Sequence, residues 1–343
     1  MATIKEIAKA CDVSIATVSN VLNDKPGASE TTRKRVMKAI EELNYTPNYV
    51  AKNLKEKITR TIGVIAEDMA IFSIPDIIDG ITEHCEEENY HILLMNLRLN
   101  KKYNDTYYNL TDYFGSVLRA LRELIAKQVD GIIYVGAHER IIKCLPEYLP
   151  IPTVMAYGYT GSDHIPSVVV DDVHGAYEIC SHIIKKGHKI IGVIAGKSDS
   201  IHMQDRLIGY QQALYDAKLL YNPELVIIGD WTSPSGYQYT DRLLEKGVTA
   251  IFCMNDLMAG GVYDRLDERG LTVGKDIAVA GFDNRQLSSY YHPPLTTVEL
   301  PLHDIGYRSS EIIINMLKYK NIIIQPVHQI KCELLIRYSI NEL

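Results

Sequence analysis

Two sets of residues in this 343-residue chain have types and spacings suited to recognition, and neither has the pattern of a catalyst. The first opens the chain in TIKEIAKACDVSIATVSNVLN. Thr3 and Glu6 have the spacing of a capping box, which starts a helix whose apolar side is Ile4, Ile7 and Ala8. The chain turns through Cys11-Asp12-Val13, and Ser14 is placed to cap a second helix, Ile15 to Leu22, that buries Val18 and Val21. Two short helices joined by such a turn form the motif that lays its second helix in the DNA major groove; a generic helical hairpin capping a core is the plainer alternative. The second set is polar and ends a series of apolar runs: Glu67-Asp68, Asp171-Asp172, Asp230-Trp231, Asn255-Asp256 and Asp283-Asn284. In open α/β sheets ligands collect at the carboxyl ends of strands, although Asp and Asn there also cap the helices that follow. There is no P-loop, no G-x-S-x-G and no H-E-x-x-H, and the 11 histidines are dispersed, so no enzyme is expected.

The elements that must position these residues are legible. From Thr61 onward short apolar runs read as strands: TIGVIAED, YHILLMN, DGIIYVG, PTVMAY, SVVVDD, KIIGVIAG, ELVIIGDW, TAIFCMND and DIAVAGFDN. Amphipathic segments such as IPDIIDGITEHCEEEN, AYEICSHIIKKG and LMAGGVYDRLDERG lie between them. Near-continuous apolar strands alternating with helices predict parallel sheets covered on both faces, and nine to eleven of them are too many for one small sheet, so two lobes are expected. The stretch Leu97–Tyr113, rich in Tyr and Asn, reads as surface.

Charge divides the chain. Residues 1–60 hold 11 Lys/Arg against 7 Asp/Glu, whereas the remainder holds 25 against 36. A basic end can approach phosphates while an acidic body stays off the duplex. The six cysteines are scattered without a C-x-x-C pair, so neither a zinc site nor a disulfide framework is expected, and no cofactor is called for. Met1 leads straight into a capped helix, leaving no room for a signal peptide, and no apolar run approaches the ~18 residues of a membrane span. A cytoplasmic location is expected.

A third helix is expected from near Ser29 through TTRKRVMKAIEELNY, with Val36, Ile40 and Leu43 on one face and the basic cluster Arg33-Lys34-Arg35 beside it. Tyr45-Thr46-Pro47-Asn48 stops it. Tyr49 to Lys55 has helical character but is too short to be stable alone, which suggests folding coupled to binding.

The order ATIKEIAKACDVSIATVSNVLN, then TPNYVAKNLK, then TIGVI resembles the lactose/galactose/purine repressor family over essentially the whole chain. The resemblance implies a helix-turn-helix head at 1–45, a hinge helix and linker at 46–60, and an effector-binding and dimerisation body at 61–343 of the periplasmic sugar-binding type. Its first lobe would hold about 61–160 plus 292–321 and its second about 161–291 plus 322–341. Ile15, Ala16 and Asn20 would read the major groove, with Thr17 and Ser19 helping; Thr3, Ser14, Asn23, Tyr45, Asn48 and Ala51 would also touch DNA. Leu54 would wedge between base pairs in the minor groove with Lys55 alongside. Many relatives carry polar or aromatic residues at Ile15 and Ala16 and Arg or His at Asn20, so direct readout here would rest on one amide, which suits adenine, and on contact with thymine methyls.

For the body, the resemblance singles out Arg206, Trp231, Asn255 and Asp283, with Phe72 near the first strand. A sugar offers vicinal hydroxyls to a fork such as Arg206 or a carboxylate such as Asp283, and its C–H face packs on an aromatic such as Trp231. Purine-type relatives sandwich a base between aromatics near the first strand, where this chain has Ile71-Phe72-Ser73. A small carbohydrate effector is therefore expected, with a nucleobase corepressor or a partner phosphoprotein as alternatives and a solute-binding protein as the rival from another class. The chain would be a homodimeric repressor on a pseudopalindromic operator, dimeric because no heptad tail follows HQIKCELLIRYSI.

Overall fold

The computed structural model describes residues 2–22, 24–45, 58–104, 106–319 and 322–343. The chain divides into two compact units, Met1–Thr59 and Arg60–Leu343. Asn23, Asn48, Ala51, Leu54 and Lys55, and with them the hinge helix, lie outside the described residues.

The small unit holds α1 (Ile4–Ala10), α2 (Ile15–Leu22) and α3 (Glu30–Glu42). Its core is Ile7, Ala8, Cys11, Val18, Val21, Val36 and Ala39. The expected face of α3 is rotated slightly: Val36 and Ala39 are buried, Ile40 is half-buried and Leu43 is exposed, because the periodic stripe runs through the small Ala39 rather than Leu43. Between α2 and α3 the chain passes through Gly27 at φ +117°, a backbone conformation that side chains disfavour.

The large unit contains β1 (Thr61–Ala66), α4 (Ser73–Glu87), β2 (His91–Asn96), α5 (Leu99–Tyr103), α6 (Phe114–Ala126), β3 (Gly131–Val135), β4 (Ile141–Ile142), β5 (Thr153–Ala156), β6 (Tyr159–Thr160), β7 (Ser167–Asp171) and α7 (Asp172–Lys185). It continues with β8 (Ile191–Ala195), α8 (Ile201–Asp216), β9 (Val226–Ile228), α9 (Ser233–Leu244), β10 (Ala250–Cys253), α10 (Asp256–Glu268), β11 (Ala278–Ala280), β12 (Thr297–Glu299), α11 (Leu302–Lys318), β13 (Val327–Lys331) and β14 (Glu333–Leu335). Each of the nine runs expected as strands forms one. Two parallel sheets result, ordered β13-β7-β5-β3-β1-β2 and β11-β10-β8-β9. The central strands β1, β3, β5, β8 and β10 are buried almost throughout, whereas the edge strands β2 and β13 alternate with exposed positions, as sheets flanked by helices require.

The sheets place all three passages between lobes later than expected. β7 and β13 pair with each other in the first sheet, beyond 160 and 321. β12 bridges to Ala280 and Asp283 of the second lobe, beyond 291. The terminal strand expected over HQIKCELLIRYSI is broken at Cys332: β13 belongs to the first sheet, and β14 pairs antiparallel with β12. The apolar run Ser167–Val170 and the alternating strand Val327–Lys331 complete the first sheet, so the chain changes lobes only once each strand is complete.

The segment Leu97–Tyr113 lies at the surface, as expected, but anchors itself through four buried residues. Leu97, Leu99, Tyr107 and Tyr113 are buried in a cluster with Ile65, Leu121, Ile132 and Tyr134. The Tyr107 hydroxyl donates to Glu67 Oε2 at 2.7 Å, so the tyrosines combine apolar bulk with a donor for a buried carboxylate.

Candidate DNA interface and effector cleft

In the head, the caps fix the motif. Thr3 N–H donates to Glu6 Oε2 at 2.7 Å while Glu6 N–H donates to Thr3 Oγ1 at 3.4 Å. The Thr3 N–H on its oxygen, with the Thr3 hydroxyl, holds the Glu6 carboxyl below its ordinary range. Ser14 Oγ accepts from Thr17 N–H at 3.0 Å and shares a 2.9 Å hydrogen bond with the Thr17 hydroxyl. With Val18 and Val21 turned inward, α2 presents Ile15 and Ala16 exposed and Thr17, Ser19 and Asn20 half-exposed. Thr3 and Ser14 are exposed at the helix starts, and Tyr45 packs on the core edge. Within the basic cluster Arg33 is committed internally, to Asp24 Oδ1 at 2.5 Å and the Lys25 carbonyl at 2.7 Å. Lys34 and Arg35 stay exposed and available to phosphates.

In the body, three of the expected effector residues converge. Arg206, on α8, is only 2% exposed. Its Nε donates to Asp172 Oδ1 at 2.6 Å, its Nη1 donates to the Met254 carbonyl, and Nη1 stands 3.3 Å from Asp283 Oδ1. The guanidinium lies 3.7 Å over the Phe282 ring centroid and 5.8 Å from that of Trp231. Asn255 has the plainer role: its Oδ1 caps α10 by accepting from Met258 N–H at 2.8 Å. Its Nδ2 donates to the Trp231 carbonyl at 2.9 Å, so the cap also fixes the indole's backbone. Trp231 packs flat on Gly196, where an added Cβ would overlap the ring. Phe72 stands apart from this group, with the Arg285 guanidinium 4.5 Å over its face.

Sequence reasoning missed Glu139, His202 and the role of Asp172. His202 Nδ1 bonds Asp172 Oδ2 at 2.6 Å, Glu139 N–H donates to His202 Nε2 at 3.4 Å, and Glu139 Oε1 accepts from Val170 N–H at 2.5 Å. Asp172 was visible as a strand-end carboxylate, whereas Glu139 and His202 carry no local signal. Burial disfavours every charge here, and the neighbours decide the outcome. Asp172 is held well below its ordinary range because Arg206 and His202 outweigh burial. His202 is raised because Asp172 outweighs burial. Burial dominates at Asp283, which is raised despite Arg206, and at Glu139, which rises to about 8. Glu139, Asp172 and His202 each offer a metal-ligating atom within 4.8 Å of the others. Arg206, bonded to the shared Asp172, opposes a cation at that place.

The backbone is strained at the same spot. Tyr157, Trp231 and Asp283 have φ of 59°, 75° and 101°, conformations that bulky side chains rarely adopt and that gather at ligand sites. A second buried group faces this cluster from the first lobe. Glu67 accepts from Tyr107, Tyr134, the Ala137 N–H and Arg140. Burial opposes its charge, and Arg140 outweighs burial to lower its pKa.

A helix-turn-helix head followed by a two-lobed parallel α/β body with a buried charged cluster defines a DNA-binding transcriptional regulator. Residues 3–48 match the family described as bacterial regulatory proteins, lacI family, and residues 180–340 match a periplasmic binding protein-like domain. The HTH-type transcriptional repressor PurR of Aliivibrio fischeri (strain ATCC 700601 / ES114) is 33% identical over 327 residues, covering 94% of this chain and 93% of the relative. That of Vibrio campbellii (strain ATCC BAA-1116) is 33% identical over 347 residues and the full length of both. Among solved structures, the lac repressor dimer bound to operator and the anti-inducer ONPF superposes with a TM-score of 0.77 at 26% identity, covering 99% of each chain. A complex of the transcriptional regulator CelR with cellobiose gives 0.64 at 25% identity, covering 99% of this chain and all of the other. The chain belongs to the lacI family of bacterial regulatory proteins.

Proposed function

We propose that the protein is a homodimeric cytoplasmic repressor, not an enzyme, whose α2 reads a pseudopalindromic operator and whose cleft binds a small carbohydrate. The observation that carries the effector class is the placement of Arg206 between Asp172 and Asp283 beside Trp231: donors, acceptors and an apolar wall within one cleft. Phe72, the aromatic that would stack a base from the first lobe, already has a guanidinium on its face, and Asn255 supports Trp231 from behind. A nucleobase is the second reading, favoured by the relatives named PurR.

On DNA, the exposed Ile15 and Ala16 favour thymine methyls and Asn20 favours adenine, with Thr17, Ser19 and Asn23 beside them and Thr3, Ser14, Tyr45, Asn48 and Ala51 on the flanks. Leu54 and Lys55 supply the minor-groove contact. Selection of duplexes from a randomised pool tests this reading: inverted A·T-containing half-sites should be enriched, and Leu54→Ala should weaken binding to them. Enrichment of no sequence at all would count against an operator-reading head.

A further inference from the structure

Glu139 leaves one polar atom unexplained. The residue is 1% exposed, yet its Oε2 has no hydrogen-bond partner among the described residues, while Oε1 and the backbone N–H are both engaged. It follows β3 in the first lobe, and it meets His202 and Asp172 of the second, the pair that holds Arg206. Buried carboxyl oxygens are ordinarily bonded, so an orphan beside the pair that holds Arg206 marks a contact that a ligand can complete. We propose that Glu139 is a specificity-determining residue of the effector cleft, its free carboxyl oxygen meeting a hydroxyl of the bound carbohydrate. This rests on the carbohydrate-cleft reading above.

The charges around it decide which form of the acid does so. His202 and Arg206 face Glu139 from α8, and Asp172 faces it from the start of α7. Tyr157, Tyr159 and Cys332 also feel its charge, and Asp283 stands behind Arg206. His138, beside it in sequence, is held neutral by burial. Among these neighbours burial outweighs His202 and Arg206, and Glu139 is held neutral. Burial keeps it so up to about pH 8. The neutral acid then has an O–H to donate and one that selects an acceptor oxygen on the ligand.

Intrinsic fluorescence of the full chain, which has one tryptophan, Trp231, is titrated with glucose, galactose, ribose, lactose and cellobiose at pH 7.0 and pH 9.5. For the sugar that responds, affinity should fall by roughly thirtyfold at pH 9.5, the loss of neutral acid across a pKa of about 8. Glu139→Gln, which keeps a neutral donor, should bind with much less pH dependence. A wild-type affinity that is flat with pH overturns the role of Glu139 and leaves the cleft standing. Silence with every sugar at both pH values removes the cleft reading and Glu139 with it. Quenching by zinc chloride alone, lost in Glu139→Gln, overturns the proposal by handing the cluster to a cation.

Discussion

The head and the cleft solve recognition in opposite ways. Among the described residues the head's core is apolar, and its caps together with Ile15, Ala16, Lys34 and Arg35 stay open to solvent. The cleft buries its charges, and every donor of Arg206 named above is committed to Asp172, Met254 or Asp283. A head of this kind can lose a reading residue without losing its fold. A cleft of this kind holds its recognition groups and its stability in the same bonds, so a ligand that exchanges those bonds acts on the second lobe's own stability.

The largest predicted effect tests that difference directly. Asp172→Ala leaves Arg206 and His202 buried without their carboxylate and should cost about 3–5 kcal/mol in the body's stability, read from urea unfolding; a loss under about 1 kcal/mol would mean the charges are not what holds the cleft. Asn20→Ala should leave thermal stability near wild type while costing about 1–3 kcal/mol of operator affinity, measured by fluorescence anisotropy on the selected duplex. A large stability loss instead would make Asn20 part of the head's framework. Thr3→Ala removes the side-chain half of the capping box, the bonds of Thr3 Oγ1 to Glu6 N–H and Glu6 Oε2, and should cost about 0.5–2 kcal/mol in the head, read from its own melting transition. Lys38→Ala breaks an exposed pair with Glu42 and should change stability by no more than about 0.5 kcal/mol; a greater loss would place that face of α3 in a contact not drawn here.

The two regions should also part company with pH. Glu6 in the head is lowered by its bonds to Thr3, so its contribution is present above the ordinary Glu range and is lost as pH falls through the folded value. His202 and Glu139 in the cleft are raised, so these two groups bind protons more tightly in the folded body than in the unfolded chain, whereas burial lowers His138, His182, His188 and His328. The contribution of Glu139 should therefore decline as pH rises from about 4.5 towards 8, and that of His202 as it loses its proton above its ordinary range. Melting temperatures of wild type and Glu139→Gln between pH 5 and pH 9 check this: a difference between them that does not change with pH would contradict the assignment.

How far the sequence foretold each region follows from the range of its interactions. In the head every cap acts within three residues, so Thr3, Glu6 and Ser14 announced their roles in the chain itself. The nine strand runs were equally local. The cleft is assembled by pairs such as Glu139 with Val170, separated by 31 residues, and Arg206 with Asp283, separated by 77. Asp172 could be seen only as a strand end, and nothing near Glu139 or His202 marks them. The same limit explains Leu97–Tyr113: its polar, tyrosine-rich composition reads as surface but does not show Tyr107 turned inward to Glu67, which requires a buried hydroxyl donor. The late lobe crossings depend on edge pairing between β7 and β13, which no local periodicity records.

The most direct test of the account is equilibrium titration of Trp231 fluorescence at neutral pH with mono- and disaccharides, then with adenine, guanine and hypoxanthine, in wild type and Asp283→Asn. Saturable quenching by one sugar, lost in Asp283→Asn, is the predicted result. A response to a base alone, or a sugar response that survives Asp283→Asn unchanged, would contradict the carbohydrate cleft built around Arg206, Asp283 and Trp231.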